Sequence, residues 1–129
     1  MTRAVMEGVC YQLRMGAAYM ERSRGYRLPT TVRVVGGGAC SDLWMQMLAD
    51  VLNVTVEVPG ATRHAGALGT AYCALVGLGL AADFDEAARR VRIGKVYHPN
   101  PEAVAIYERG YLVFEKIYGT LAPLFASQN

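Results

Sequence analysis

Three consecutive glycines, Gly36 to Gly38, are the residues whose type and spacing suggest chemistry. They directly follow the β-branched run of residues 32–35, and Ala39 separates them from the start of a predicted helix. Glycines let the backbone approach a ligand without a Cβ in the way, and the first turn of a helix presents free N–H groups with partial positive charge. A strand, a glycine turn and a helix start in this order therefore favour the binding of a nucleotide. A tight turn without a ligand is the alternative.

The same segment partly matches a dinucleotide site of the Rossmann type. Gly36 and Gly38 fit the first two glycines of that fingerprint, and Glu57 lies near the distance expected for its ribose-binding acid. However, Ser41 stands at the third glycine position, and a long predicted helix precedes the motif where the first strand should open the fold. This interpretation therefore ranks second.

No other group of residues predicts a catalytic or metal site. The three cysteines are far apart in the sequence, form no CxxC pair, and do not cluster with either histidine. The four aspartates are Asp42, Asp50, Asp83 and Asp85. Capping or solvation is the simplest role for each, so none is predicted to be a catalytic base.

Composition and charge exclude several kinds of partner. The formal net charge is +2 and the 13 basic residues are scattered, so no nucleic-acid surface is predicted. The odd, unclustered cysteines favour a reducing cytoplasm, and the first residues do not form a secretory signal. Residues 65–82 carry no charge, but they are dominated by Gly and Ala. We therefore predict a tightly packed internal helix there rather than a membrane span.

The elements that must position the glycine segment are predicted from periodicity and capping residues. A helix over residues 3–24 ends at Gly25, and its recurring apolar residues are Val5, Val9, Leu13, Ala17 and Met20. A second helix covers residues 43–52, with Ser41 or Asp42 as its cap and Asn53 as its stop.

The two predicted strands cover residues 32–35 and 54–58, which makes the chain an α/β protein with few strands. A short helix opens at residues 83–86, and residues 94–99 are predicted as a loop. Asn100 and Pro101 start a last helix that runs to about Tyr118. The stripe on this helix predicts a packing surface made of Val104, Tyr107, Tyr111, Phe114 and Tyr118.

The order of these parts resembles the FGGY family of carbohydrate kinases. The specific segments are GGGA followed by LWMQMLADVLNV, and ALGTAY followed by VGLG. The resemblance covers essentially all 129 residues, and the xylulose kinase branch is the most similar. It implies part of an actin-like ATPase domain of the ribonuclease H-like type, helix-rich with a small sheet. Within it, Ala67, Gly69 and Ala71 are predicted to permit close helix packing.

The resemblance also implies an ATP-dependent kinase that moves the γ-phosphoryl group of Mg-ATP to a sugar hydroxyl. By this resemblance the glycines and Ala39 would line the adenosine and α-phosphate, while Ser41 and Asp42 would lie near the base or ribose. The implied nucleotide-binding residues are Gly36, Gly37, Gly38, Ala39, Ser41 and Asp42. Cys40 receives no role.

The family's catalytic aspartate, its Mg²⁺ ligands and its sugar site have no counterpart in this sequence. We therefore expect residues 1–129 to be a fragment of the C-terminal, ATP-binding domain of such a kinase, inactive alone, as the helical start near Thr2 also suggests. The expected ligands are ATP or ADP and, through the missing lobe, a xylulose-like pentose or polyol. A homodimer is left open, and a stand-alone nucleotide-binding or interaction module without catalysis is the alternative. Gly38→Val is predicted to abolish nucleotide affinity.

Overall fold

Five helices and three short strands lie along residues 2–126, the part of the chain that the computed structural model describes. The helices are α1 (Thr2–Arg24), α2 (Asp42–Leu52), α3 (Ala65–Gly77), α4 (Phe84–Arg90) and α5 (Pro101–Ala126). The strands are β1 (Thr31–Arg33), β2 (Thr55–Pro59) and β3 (Ile93–Tyr97). Two 3₁₀ turns, Gly37–Cys40 and Thr62–His64, follow β1 and β2.

The strands form one sheet in the order β1-β2-β3. β1 runs parallel to β2, with Val32 opposite Val56, and α2 provides the crossover that a parallel pair requires. β3 runs antiparallel to β2, with Tyr97 opposite the same Val56. The carboxyl ends of β1 and β2 therefore meet at one edge of the sheet, together with the start of β3.

The core lies between the sheet and α2. Met47 and Val51 of α2 are almost completely buried, as are Val56 of β2 and Cys10 of α1. α1 and α5 both contact α2. Since burial of each such side chain contributes about 1.5–3 kcal/mol, α2 is firmly held, and so is the loop that leads into it.

The local signals at the ends of α2 act as predicted. The Ser41 hydroxyl oxygen accepts a hydrogen bond from the N–H of Trp44 at 3.3 Å, so Ser41 is the N-cap. Asn53 adopts the left-handed conformation, with φ of 53°, and its N–H donates to the carbonyl of Ala49. Both ends of this helix are therefore determined by residues next to it in the sequence.

One side of α2 carries three polar residues at intervals of four, Asp42, Gln46 and Asp50, which we call the polar face of α2. Gln46 Nε2 donates to the carbonyl of His98 at 2.8 Å, and Asp50 Oδ1 accepts from the N–H of Asn100 at 2.8 Å. Residues four apart share one side of a helix, so this face fastens α2 to β3 and to the start of α5. Asp50 is only 6% exposed, so the solvated or capping role predicted for it is wrong.

α5 packs against α1 through the predicted aromatic stripe. Tyr107 and Tyr111 are buried, and the ring of Tyr11 from α1 lies about 6 Å from each, with centroid distances of 6.3 and 6.2 Å. A Cβ at Gly110 would lie 2.2 Å from the Tyr11 hydroxyl oxygen, so this glycine permits the close approach. The stripe is thus confirmed as a packing surface, although Tyr118 at its end is exposed.

The apolar face predicted for α1 is not the one that it buries. Val5 is 68% exposed and Leu13 is 52% exposed, whereas the buried side contains Cys10. α1 carries apolar residues around most of its circumference. Spacing alone therefore identified the helix, but it did not identify the face that meets α2 and α5.

The strand β3 was predicted as a loop, and that prediction is wrong for Ile93–Tyr97. The segment includes a glycine and a lysine and has weak strand character by itself, but pairing with β2 makes it a strand. α5 also runs beyond Tyr118 and includes Pro123.

The uncharged segment forms α3, but α3 is not a tightly packed internal helix. None of its residues is buried, and Ala67, Gly69 and Ala71 are exposed. Its main contacts within the described residues are with α4 and with the 3₁₀ turn Thr62–His64. The close packing predicted for these small residues is therefore absent here. Within residues 2–126 no helix is both long and apolar enough to cross a membrane.

Candidate nucleotide-binding site

The candidate site lies where the chain leaves the parallel strands β1 and β2. Because both strands end at the same edge, the loop after β1 meets the loop after β2. The N–H of Gly36 donates to the backbone oxygen and to the side-chain oxygen of Thr62, each at 3.1 Å. The crevice outside the carboxyl ends of parallel strands is where α/β proteins place their ligands.

Gly36 has a backbone conformation that residues with a Cβ rarely adopt. Its φ is 99° and its ψ is −175°. The 3₁₀ turn follows at once, and the N–H of Ala39 donates to the carbonyl of Gly36 at 3.2 Å. Ala39 is buried and anchors the turn. The first glycine is therefore required by the path of the backbone.

The other two glycines have different surroundings. A Cβ added to Gly37 would meet no atom within 4 Å, and Gly37 is exposed, so its backbone is open to a ligand. A Cβ added to Gly38 would lie 3.0 Å from Cζ3 of the Trp44 ring. Gly38→Val is still expected to damage the loop. In the structure, the added side chain would first clash with Trp44. The sequence pattern instead predicts a clash with the ligand.

Ser41 and Asp42 stand at the start of α2. The Ser41 hydroxyl caps α2, whereas the Asp42 carboxylate points to β3. Asp42 Oδ1 accepts hydrogen bonds from Lys95 Nζ at 2.5 Å and from the Tyr97 hydroxyl at 2.7 Å. The hydrogen bond from Lys95, and then that from Tyr97, lowers the pKa of Asp42 below its ordinary value.

We expect the ion pair of Asp42 and Lys95 to make a contribution to stability that depends on pH. Because the pKa of Asp42 is lowered from 3.8 in the folded chain, the contribution is complete at neutral pH and disappears as the pH falls through the folded-state pKa. The difference in urea midpoint between the wild type and Asp42→Asn should therefore shrink as the pH is lowered below about 4. A difference that stays constant over this range would contradict the assignment.

The structure brings the six predicted residues together because they are contiguous in the loop and helix start. Four further residues surround them and were not predicted: Thr62, Trp44, Lys95 and Tyr97. Trp44 follows the motif closely enough for local reasoning to have found it, whereas Thr62 lies 26 residues beyond Gly36 and carries no such signal. Lys95 and Tyr97 lie in the segment predicted as a loop, and no sequence signal marked them.

Positive charge also lies beside the loop. Arg63, in the second 3₁₀ turn, donates from Nε to Cys40 Sγ at 3.3 Å. This hydrogen bond to Cys40 raises the pKa of the Arg63 guanidinium. A fixed cation near free backbone N–H groups favours a phosphate-bearing ligand.

Among residues 2–126 no three His, Cys, Asp or Glu side chains lie close enough together to hold an ion. Asp83 caps α4 by accepting the N–H of Glu86 at 2.9 Å, and Asp85 is exposed. Capping and solvation are thus confirmed for these two aspartates.

A cavity of about 740 Å³ lies between the sheet and helices α3 and α4. Its walls are mostly apolar and include Val35, Pro59, Leu68 and Phe84. None of the six predicted site residues lines it. Of the small residues of α3 singled out in the sequence, Gly69 lines this cavity, whereas Ala67 and Ala71 do not.

The Rossmann alternative does not fit this arrangement. The carboxylate of Glu57 is paired with Arg33 of β1, whose Nη2 lies 3.1 Å from Glu57 Oε2. The third strand is antiparallel, so the sheet does not continue as parallel βαβ units.

Comparison with known proteins decides the family. Residues 1–78 match the model of the C-terminal domain of the FGGY family of carbohydrate kinases. The chain belongs to this family. The matched residues include the glycine segment, α2, β2 and α3.

Relatives of this FGGY chain are kinases by name. It is 33% identical over 119 residues to a xylulose kinase of Staphylococcus epidermidis, which covers 90% of this chain and 23% of that protein. It is 41% identical over 90 residues to an autoinducer-2 kinase of Yersinia pestis, which covers 69% of this chain and 17% of that protein. The chain therefore spans less than a quarter of the length of these two relatives.

The solved structure of ligand-bound xylulose kinase from Lactobacillus acidophilus has the same fold in the matched part. The TM-score is 0.81 at 28% identity, over 98% of this chain and 25% of that one. The fold is thus part of the actin-like ATPase fold of FGGY kinases, as the sequence predicted.

Proposed function

We propose that this chain is the adenosine-binding part of an ATP-dependent sugar kinase that phosphorylates a hydroxyl of a xylulose-like pentose or polyol. The observation that carries the proposal is the glycine loop. It lies within the residues matched to the FGGY C-terminal domain, at the carboxyl edge of two parallel strands, and Gly37 leaves its backbone open. The name of the xylulose kinase relative supports the substrate class.

Residues 1–129 act, in this proposal, as a fragment of the C-terminal domain and do not transfer phosphoryl groups alone. Phosphoryl transfer needs a positioned base and ligands for Mg²⁺, and no three His, Cys, Asp or Glu side chains of the described residues lie together to form such a centre. The rest of the kinase supplies those groups and the sugar site, and the free thiols of Cys10, Cys40 and Cys73 fit a reducing cytoplasm. Reading the coding DNA upstream of Met1 tests this part, and a stop codon directly before a genuine start site would contradict it.

Nucleotide binding can be tested with the chain's only tryptophan. Trp44 lies against Gly38, so a nucleotide bound along the loop should change its fluorescence. We expect ADP and ATP to give a saturable change, and Gly37→Ala to weaken binding about tenfold or more, since 1.4 kcal/mol of lost contact corresponds to a factor of ten. Fluorescence titration, corrected with free tryptophan for nucleotide absorption, and calorimetry are the measurements.

Gly37→Ala is informative because its Cβ meets no protein atom. Its unfolding free energy should stay within about 0.5 kcal/mol of the wild type, so a loss of affinity would report contact with the ligand. Gly69→Ala, in α3 and also open, is the matched control that should bind normally. Equal affinity of wild type and Gly37→Ala would show that the segment is only a turn.

A further inference from the structure

We propose that Lys95 and Tyr97 of β3 are positioning residues for the nucleoside part of the nucleotide, because they fix the carboxylate of Asp42 beside the glycine loop. The proposal rests on the proposed function and extends it to two residues outside the glycine motif. It concerns specificity: the fixed carboxylate would accept a hydrogen bond from adenosine.

The geometry fixes one oxygen of Asp42 and leaves the other available. Lys95 Nζ and the Tyr97 hydroxyl both donate to Oδ1, at 2.5 and 2.7 Å. Oδ2 accepts no hydrogen bond from any residue that the structure describes, and the Asp42 side chain is 67% exposed. Two donors on one oxygen restrict the side chain to one orientation. Its free oxygen is therefore presented to solvent at the start of α2.

The supports on both sides of this carboxylate are rigid. Asp42 begins α2, which is the best-buried helix of the chain. Lys95 lies opposite Val58 and Tyr97 opposite Val56 in the ladder between β3 and β2. A Cβ at Gly94 would lie 2.9 Å from the Cα of Gly60, so β3 also lies close to the loop that follows β2. The side chains of β3 therefore hold the Asp42 carboxylate at a fixed place relative to the sheet.

The arrangement is not required for helix capping. Ser41 already caps α2, and a carboxylate in the first turn is favoured by the helix dipole without any partner. An exposed ion pair contributes little to stability. What Lys95 and Tyr97 add is a fixed direction for the carboxylate, and a fixed acceptor is what hydrogen bonding to a ligand requires.

A carboxylate oxygen accepts from donors, and adenosine offers two kinds: the ribose hydroxyls and the 6-amino group of the base. The pair of Lys95 and Asp42 is electrically neutral as a whole, so it does not repel the phosphates of ADP. Comparing ADP with 2′,3′-dideoxy-ADP, which lacks both ribose hydroxyls, and with inosine diphosphate, which lacks the 6-amino group, identifies the donor.

The test measures affinity for these three nucleotides in the wild-type chain and in Lys95→Met, Lys95→Arg and Tyr97→Phe. Lys95→Met should weaken ADP binding about threefold, since the exposed pair that orients Asp42 is itself a weak interaction, and Lys95→Arg should restore most of it. Tyr97→Phe should weaken binding less, since Lys95 remains. The penalty of Lys95→Met should vanish for the analogue that lacks the donor, as expected for coupled groups.

Lys116→Met is the matched control, because Lys116 on α5 is the only other lysine and is exposed. It should bind all three nucleotides as the wild type does. Urea denaturation of every variant separates positioning from folding, since Lys95→Met loses one exposed ion pair and should lower the urea midpoint only slightly.

Each outcome decides between the proposals. If the wild type binds ADP and Lys95→Met binds it equally well, the positioning role is overturned and the proposed function stands. If the penalty is the same for all three nucleotides, or follows a loss of stability, the positioning role is also overturned. If the wild-type chain binds no nucleotide, both proposals fail.

Discussion

Replacing Gly36 with alanine is expected to lower the free energy of unfolding by about 1–3 kcal/mol, because the φ of 99° and ψ of −175° lie in a region that only glycine occupies readily. No atom lies within 4 Å of the added Cβ, so the cost would come from the backbone and not from a steric contact. The substitution would also strain the hydrogen bond from the Gly36 N–H to Thr62. Nucleotide affinity should fall because the loop would move. Urea denaturation and the Trp44 titration measure the two effects.

Gly69→Ala is the control for this prediction, since its Cβ also meets no atom and its φ is ordinary. Alanine is favoured over glycine inside a helix, so this variant should gain about 0.5–1 kcal/mol. The two substitutions are chemically identical and should have opposite signs. A loss in both, or in neither, would mean that the conformation of Gly36 is not what the loop requires.

The second large effect is expected for Asp50→Ala, which should destabilise the chain by about 1–3 kcal/mol. Asp50 is buried, and its Oδ1 accepts from Gln46 Nε2 at 2.9 Å and from the N–H of Asn100 at 2.8 Å. Alanine would remove the acceptor and leave the Asn100 N–H, at the start of α5, without one. The unfolding free energy from urea denaturation checks the size of the loss.

Asp50→Asn keeps an acceptor oxygen in place and should lose much less than Asp50→Ala. Asp85→Ala removes an exposed carboxylate near the start of α4 and should cost less than about 1 kcal/mol. Equal losses for Asp50→Asn and Asp50→Ala would show that the negative charge matters rather than the acceptor. An unchanged Asp50→Ala would contradict the role of the polar face of α2.

The elements that sequence reasoning predicted well are those whose ends are marked by local chemistry. Asn53 stops α2 in the left-handed conformation, and the Asn100 side chain accepts the N–H of Glu102 at 3.0 Å at the start of α5. Each signal acts over a few residues, so it can be read without knowing the fold.

The candidate site likewise contains residues that the sequence predicted and residues that it did not. The six residues from Gly36 to Asp42 are contiguous apart from Cys40, so the strand-glycine-helix pattern predicted them as one group. Their partners are distant: Thr62 lies 26 residues beyond Gly36, and Lys95 lies 53 residues beyond Asp42. Nothing in the motif determines which later residues reach it.

The sequence by itself determined the family, the glycine loop, and the start and end of α2, because these depend on backbone preferences and hydrogen bonds between near neighbours. Only the tertiary structure decided that α1 buries the side with Cys10, that Ile93–Tyr97 becomes a strand, and that Asp50 is a buried acceptor. The physical reason is that burial and strand pairing depend on which surface arrives from elsewhere in the chain. Such contacts form between residues far apart in sequence, and their gain is set by the packed partner rather than by the local pattern.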